Sequence, residues 1–502
     1  MRPSALVSSV ALAFASVSHA DIFQYADCDG DGSLLLTELD AEPGVNLSGL
    51  YLGCAALNDA NMAGADFSGA DIQFGGMRNG NFSSANFTDC NMLGSFIDDS
   101  SFENAILDNA QFSLGTRTNF KNATMLGAVI DLSDDVFSST VFEGADLAGS
   151  SLIGPSDSQP TYFFRPNFQN ANMTDCGIKN VQFEGESGGI ADFRGANFTS
   201  GSVENCMLIR LDLTAANLSD LVSVNSSWIT CSLKGANLQN AELADAFFSG
   251  ITSGDIQGIP SSLPEFWVIA SGYLVGPFAD VSNSNLSSQN FEGQNFTGAN
   301  FEFAIVEGSN FTNATLRNVN LSSAYVCGTD FSYVDFSSAQ LVSVDFCDAV
   351  LLETNFQNAN LIGSSFASQD LSGLNFASAD LSYSDLRFAD LSNANLSGAD
   401  LTGANIYQAN LYGVDLSGTN LEGVDLSVAV FIPPVTGSCC IPTGCTIISN
   451  RQCTEIGGTW TEDGSCDDCS PAPEPCAADL SGDGIVGFDD LVNVISNWGV
   501  CP

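Results

Sequence analysis

The chain repeats every five residues. From Val281 to Phe431 every fifth position is apolar without exception, and we call each such position a centre. An α-helix repeats every 3.6 residues and a strand every two, so neither alone produces this period. The residue two before a centre is usually small, as at Ala389 and Ala399, and the residue one before it is usually Asp or Asn, as at Asp390. The pattern therefore indicates a solenoid built from short, similar steps.

Residues two apart in an extended chain face the same side. The small residue and the centre are therefore expected to point inward, and the Asp or Asn between them outward. The next pair, commonly Ser-Gly or Thr-Gly, turns a corner. The same rule holds from Leu47 to Phe112 and, after a slip of three residues through Phe120, from Phe137 to Leu152. It continues from Phe168 to Phe248 with two exceptions, Gly188 and Ser223.

This motif resembles the A-(D/N)-L-x-x motif of the pentapeptide-repeat family, most plainly in GADLTGANIYQANLYGVDLSGTNLEGVDL. The resemblance implies an all-β fold, a right-handed quadrilateral β-helix in which four pentapeptides complete one square coil. In such a coil Cys327 and Cys347, twenty residues apart, become vertical neighbours on one outer face, within reach of a disulfide. Asp380 is likewise expected to stack directly on Asp400, where the two carboxylates would repel each other. Asn420 is expected to follow in the same column and to reduce that repulsion.

Four further cysteines occupy the small position two before a centre, so they are expected to be buried and inert. They are Cys90, Cys176, Cys206 and Cys231.

Composition excludes several classes of protein. The 502 residues include 12 basic and 59 acidic side chains, giving a net charge of -47, yet 44% are hydrophobic. A disordered acidic tail would be less hydrophobic, and binding to nucleic acid needs clustered Lys and Arg. The only histidine, His19, lies in a segment that we expect to be removed, which excludes His-based triads and His-ligated metals in the mature chain.

The first twenty residues read as a secretory signal peptide. Arg2 precedes an apolar run, and Ser18 and Ala20 are the small residues expected at a cleavage site after Ala20. No later run is apolar for about 18 residues, so no membrane span is expected. These features predict a secreted, cell-surface or periplasmic protein.

The sequence DCDGDGSLLLTE fits the EF-hand calcium loop. An acidic, Gly-rich turn that caps the solenoid explains the same residues, and both interpretations can hold together. The predicted ligands are Asp27, Asp29, Asp31, the Ser33 carbonyl and Glu38.

A second loop of this kind lies near the C-terminus. It resembles one half of a dockerin, and more closely the Cys-flanked, dockerin-like tails of exported planctomycete-type proteins. Dockerins carry two such loops in tandem, whereas one is present, so the resemblance does not imply cohesin binding. The predicted calcium ligands are Asp479, Ser481, Asp483, the Ile485 carbonyl and Asp490.

A Cys-rich module precedes this tail. Its last C-x-x-C allows a zinc site, but disulfides are favoured in an oxidising compartment, with pairing left open. The disulfide candidates of the module and tail are Cys439, Cys440, Cys445, Cys453, Cys466, Cys469, Cys476 and Cys501.

Eight segments are therefore predicted. Within the insertion, Trp267 and Tyr273 are expected to pack in a hairpin that covers the core, although a ligand-gripping loop would explain the same residues. The segments are a signal peptide (1–20), a calcium loop and cap (21–42), repeat segments at 43–157, 158–249 and 279–432, an insertion (250–278), the Cys-rich module (433–470) and the dockerin-like tail (471–502).

Three functions compete at this point. The first is a non-catalytic exported scaffold with calcium-binding end modules, an unknown protein or cell-surface partner and calcium-dependent self-association. The second is a DNA-mimicking topoisomerase inhibitor, as some pentapeptide-repeat proteins are, but that target is cytosolic. The third is a dockerin-bearing polysaccharide-degrading enzyme. Acidic pairs recur throughout the repeat and a smooth four-faced column offers no concave site, so we expect no enzyme activity.

Overall fold

The computed structural model describes residues 21–24, 35–132, 136–155, 161–185 and 190–431. It also describes the backbone of three strands at 436–441, 444–449 and 459–462. The chain forms two compact units, Met1–Ser365 and Phe366–Pro502. No helix among these residues is long and apolar enough to cross a membrane.

The strands are short, because each side of a coil contributes only a few extended residues. They are β1 Asp21–Phe23, β2 Leu35–Asp40, β3 Asn91–Met92, β4 Gln111–Ser113, β5 Val129–Asp131, β6 Val136–Ser138, β7 Ser151–Ile153, β8 Thr161–Phe164, β9 Gly177–Lys179, β10 Val181–Glu184, β11 Ala191–Asp192, β12 Ser202–Glu204, β13 Met207–Ile209, β14 Leu211–Asp212, β15 Val222–Val224, β16 Ser227–Ile229, β17 Phe247–Ser249, β18 Val268–Ala270, β19 Tyr273–Val275, β20 Thr436–Ile441, β21 Gly444–Ser449 and β22 Thr459–Glu462. A single-turn 3₁₀ helix spans Leu426–Val428.

Parallel bridges between residues twenty apart define the coil. In the first unit Asn285 pairs with Ile305, Ile305 with Tyr325, and Tyr325 with Asp345. The Leu286 N–H donates to the Ile305 carbonyl at 2.7 Å, and the Ile305 N–H donates back one coil to Ser284 at 2.8 Å. Four pentapeptides therefore make one coil of a β-helix, as the resemblance implies.

Two parallel sheets show the same stacking where the bridges lengthen into strands. One has the order β17-β16-β13-β10-β8-β6 and the other β15-β12-β9-β7-β5-β4-β3. Each strand pairs with the strand one coil away, so the contacts are between neighbours along the stack.

Each corner has the same local geometry. The Ala404 N–H donates to the Leu401 carbonyl at 2.8 Å and closes the turn. The residue two after the centre adopts a left-handed backbone, as at Gly403 with φ +65° and Ser343 with φ +57°. Glycine takes this conformation without strain, and the short polar side chains of Asn, Asp and Ser tolerate it better than most.

Phenylalanine rings form a continuous column inside the first unit. Phe120 and Phe142 stack with ring centroids 5.1 Å apart, and Phe142 and Phe168 at 4.5 Å. Phe168 and Phe193 continue the column at 4.7 Å. All four rings are buried, and Thr118, Thr140 and Ala191, each two residues before one of these centres, are buried as well. In the second unit leucines occupy most of these positions.

Irregularities in the repeat are absorbed as coils of unequal length. The slip near Phe120 shortens the coil from Ser101 to Asn119, and the next coil, from Asn119 to Val141, is longer. Parallel bridges continue on both sides, so the stack is not interrupted there. The loop that follows Leu152 is absorbed in the same way, since Ser151 pairs with Gly177.

The insertion forms the antiparallel hairpin β18–β19 within one coil. Trp267 is 6% exposed, and its ring meets Phe248 edge to face at 5.2 Å. The Asp280 N–H donates to the Ile251 carbonyl at 2.9 Å, which joins the coils before and after the insertion. Trp267 therefore fills the core where the repeat itself is missing.

The hairpin β1–β2 lies against the first coil. Ile22 is buried, and the Ala56 N–H donates to the Phe23 carbonyl at 2.6 Å. In the second unit the last coil is less enclosed: Leu426 is 39% and Phe431 60% exposed, although both are expected to point inward as centres. Among the described residues no further coil follows to cover them. Beyond it, β20, β21 and β22 form an antiparallel sheet in the order β21-β20-β22.

Candidate interaction surface

The N-terminal calcium loop is only partly within the described residues. Glu38 lies in β2 and is exposed. Asp27, Asp29, Asp31 and Ser33 lie outside the described residues.

The second predicted loop and most of the Cys-rich module also lie outside the described residues. This applies to the ligands Asp479, Ser481, Asp483, Ile485 and Asp490 and to Cys453, Cys466, Cys469, Cys476 and Cys501. Cys439, Cys440 and Cys445 lie in β20 and β21, with Cys440 opposite Cys445 in the backbone register. In the described part of the chain no group of three or more His, Cys, Asp or Glu side chains could hold a metal ion, and calcium remains a prediction.

A disulfide joins two adjacent coils of the first unit. Cys327 and Cys347 have Cα atoms 4.8 Å apart and are bonded to each other. Each directly follows a centre, so the bond lies on the outer face. Cys54 is also disulfide-bonded, and the sequence analysis missed it because its position two after a centre carries no pairing signal of its own.

The four inward cysteines are unbonded and buried, as predicted. Burial raises the pKa of Cys176 to about 12, of Cys206 to about 11 and of Cys231 to about 12. Burial, with a smaller contribution from Asp71, raises the pKa of Cys90 above its ordinary range. The thiols therefore stay protonated and act as small apolar side chains.

Outward Asp and Asn side chains are fixed by their own coil. At Asp400 the carboxylate accepts the Thr402 N–H at 2.8 Å and the Thr402 hydroxyl at 2.6 Å. These bonds, and a weaker one from Asn420, lower the pKa of Asp400. The same oxygen-to-backbone bond recurs along the stack and keeps the outer lattice rigid.

Side chains also form ladders between coils. Asp370 is bridged to Asp390, and the Asn410 amide donates to Asp390 at 3.0 Å. In the first unit Asn320 donates to Asn300 at 3.0 Å. An amide beside a carboxylate supplies a donor where another carboxylate would repel, so each Asn in these columns limits the run of adjacent charges.

Most basic side chains of the described coils are paired with neighbouring acids. Arg387 Nη2 lies 2.6 Å from Asp385, and this hydrogen bond is the main cause of the lowered pKa of that carboxyl. Arg117 approaches Asp99 at 2.5 Å and lowers the pKa of Asp99 in the same way. These pairs are largely exposed and so contribute little to stability, and most acids remain uncompensated.

Exposed aromatic rings on the second unit were not anticipated from the sequence. Tyr383 is 69% exposed and its ring lies on the backbone of Gly403, where a Cβ would come within 3.0 Å of it. Phe388 and Tyr407 meet edge to face at 5.6 Å. The sequence did contain a signal for these exposed rings: Tyr383 and Phe388 lie two after a centre, a corner position that usually holds Gly, Ser or Asn.

The outer surface of the first unit is not wholly smooth, contrary to expectation. A shallow depression of about 350 Å³ lies beside the disulfide. It is lined by Tyr325, Asp345 and two serines, and it lacks the acid and base pair that hydrolysis would require.

Comparison with known proteins agrees with the fold. The family described as "Pentapeptide repeats (8 copies)" matches residues 44–73 and, in overlapping matches, residues from 278–313 to 409–432. The chain therefore carries pentapeptide repeats, and its coils are those of a repeat β-helix.

Solved pentapeptide-repeat structures are similar to it at low identity. HetL, a protein involved in heterocyst differentiation regulation from the cyanobacterium Nostoc, is 16% identical, covering 72% of this chain and 89% of its own, with a TM-score of 0.14. QnrB1, a plasmid-mediated fluoroquinolone resistance protein, is 22% identical, covering 46% and 86%, with a TM-score of 0.17. A thylakoid lumen protein of Arabidopsis thaliana is 24% identical, covering 27% and 70%, with a TM-score of 0.11. No curated protein matches the chain.

Proposed function

We propose that this protein is a non-catalytic, exported interaction scaffold. The observation that carries the proposal is the outer lattice, in which acidic and amide side chains repeat at fixed spacing and are held by their own coils, as at Asp400 and Asn420. A rigid, patterned surface loses little conformational entropy on binding, which suits it to recognition. The disulfide between Cys327 and Cys347 supports an oxidising compartment.

Calcium is the proposed ligand of the two end modules. The spacing of Asp27, Asp29 and Asp31 and of Asp479 and Asp483 supports it. Because EF-hand loops usually work in pairs, we further propose that calcium promotes self-association between the two ends of different molecules. Calcium-independent monomers in analytical sedimentation would contradict that part.

Export and partner binding are tested together. The full-length chain, expressed in a bacterium with a periplasm, is expected outside the cytosol, with a mature N-terminus at Asp21 by N-terminal sequencing. Affinity capture from surface and extracellular fractions in calcium is expected to recover a specific partner. High salt is expected to release that partner, because the surface that binds it is charged. A matched control is the same chain without residues 1–20, which is expected to remain cytosolic.

Two results would overturn the scaffold. A full-length chain that stays in the cytosol and inhibits DNA supercoiling by a purified topoisomerase would support the DNA mimic instead. Hydrolysis of a polysaccharide by the purified protein would establish an enzyme.

A further inference from the structure

Asp345 differs from the other outward aspartates. Every other described aspartate that directly precedes a centre accepts the N–H of the residue two positions on; at Asp330 the acceptor distance is 2.9 Å. Within the described coils, the carboxylate of Asp345 makes neither this bond nor any other hydrogen bond or ion pair. The aspartates that do make the bond are Asp66, Asp71, Asp146, Asp192, Asp212, Asp280, Asp330, Asp335, Asp370, Asp380, Asp385, Asp390, Asp400, Asp415 and Asp425.

This carboxylate lines the depression beside the disulfide. Tyr325 is the residue bridged to Asp345 from the adjacent coil, and it is 58% exposed. Its hydroxyl has no partner in the described part of the chain. Ser323 and Ser343 line the same depression, and Cys327, bonded to Cys347, forms one wall.

The charge of Asp345 is not neutralised locally. Residues 279–365 contain one basic side chain, Arg317, and its guanidinium lies 3.6 Å from Asp335 on another face. A cationic ligand would therefore gain an ion pair with Asp345 that a neutral sugar would not.

We propose that the depression binds a primary alkylammonium group. An ammonium offers three donors and no acceptor, which suits one carboxylate and neighbouring hydroxyl oxygens. The face of an aromatic ring attracts a cation in addition, and the ring of Tyr325 is available for that contact. The group can be a lysine side chain of a protein or a free amine. This proposal deepens the scaffold function and rests on it only for the choice between those two sources.

Ligand-observed saturation-transfer NMR tests the site with n-butylammonium chloride on the full-length protein. Exposed ion pairs and exposed cation–π contacts are each weak, so saturable binding is expected with a Kd on the order of millimolar. Asp345→Asn and Tyr325→Ile are each expected to weaken binding about two- to fivefold. Both changes suit the fold, because Asn is common at this position and Ile305 occupies the same column one coil away.

The matched control is Asp330→Asn, which removes the same charge from a carboxylate already bonded to its own coil. It is expected to leave butylammonium binding unchanged. Equal weakening by Asp330→Asn and Asp345→Asn would show that only the net charge attracts the amine, and would overturn the proposal. Equal saturation transfer from n-butanol would overturn it as well.

A short lysine peptide with blocked termini distinguishes the sources. Tighter binding than n-butylammonium supports a protein lysine, and equal binding supports a free amine. Butylammonium binding without any captured partner would leave the site established and the scaffold refuted. A captured partner with no butylammonium binding would refute the ammonium site and leave the scaffold supported.

Discussion

At the scale of single residues, the position before each centre does more than point outward. Asp400 Oδ1 accepts the Thr402 N–H and hydroxyl while Leu401 points into the core. Asp and Asn both supply this oxygen, which explains why they alternate freely in the motif. Sequence reasoning predicted the outward direction, but the hydrogen bond that selects these two residues is visible only in the folded corner.

Acid is expected to weaken this corner. The pKa of Asp400 is lowered by its bonds to Thr402, and a lowered folded pKa stabilises the protein above the ordinary Asp pKa of about 3.9. That stabilisation is lost as the pH falls through the folded value. The difference in unfolding free energy between wild type and Asp400→Asn is therefore expected to favour wild type more at pH 7 than at pH 3. Urea denaturation at the two pH values measures it.

Thr402→Val is the control, because it removes the hydroxyl donor to Asp400. It is expected to reduce the pH dependence without removing the charge. A stability difference between wild type and Asp400→Asn that is the same at both pH values would refute this account.

At the scale of elements, the coil tolerates insertions because its core is filled locally. The hairpin β18–β19 adds residues to one coil, and Trp267 packs on Phe248 where no repeat centre is present. The sequence indicated a hairpin with packed aromatics. Which coil contains the hairpin is shown by the hydrogen bond from the Asp280 N–H to the Ile251 carbonyl. That bond is a tertiary contact, and the sequence pattern does not specify it.

Removing a ring from the phenylalanine column tests the importance of this packing. Phe142 is buried between Phe120 and Phe168, so Phe142→Ala is expected to cost about 3–5 kcal/mol of unfolding free energy. Phe247, 56% exposed in β17, is the control, and Phe247→Ala is expected to cost less than about 1 kcal/mol. Guanidinium denaturation measures both, and equal costs would show that the column is not the main source of stability.

At the scale of the whole molecule, the charge of -47 is distributed by the repeat. Residues 279–431 hold only two basic side chains, Arg317 and Arg387, each beside an aspartate. The ladders of Asn and Asp lower the repulsion between coils without removing it. Cations are therefore expected to stabilise the protein, either by screening or by binding at the predicted calcium loops.

Thermal melts at matched ionic strength separate these two effects. Screening is strong once the Debye length falls from about 30 Å at 0.01 M to about 8 Å at 0.15 M salt, so NaCl is expected to raise Tm. Calcium is expected to raise it further by binding only the folded modules. The extra rise is expected to disappear in the double variant Asp29→Asn, Asp483→Asn.

Asp370→Asn, Asp390→Asn is the control with the same change in net charge, and it is expected to keep the calcium response. Equal responses to calcium and to sodium at matched ionic strength would leave the loops without a role in stability.

The amino-acid sequence alone determined the coil, because each pentapeptide carries its own core residue, outward oxygen and corner. It also determined the pairing of Cys327 with Cys347, since a twenty-residue coil makes them neighbours. Only the tertiary structure decided which outward groups remain unsatisfied, as at Asp345, and where rings such as Tyr383 rest. Those outcomes depend on side-chain contacts between adjacent coils, and the five-residue period brings the coils together without specifying each contact.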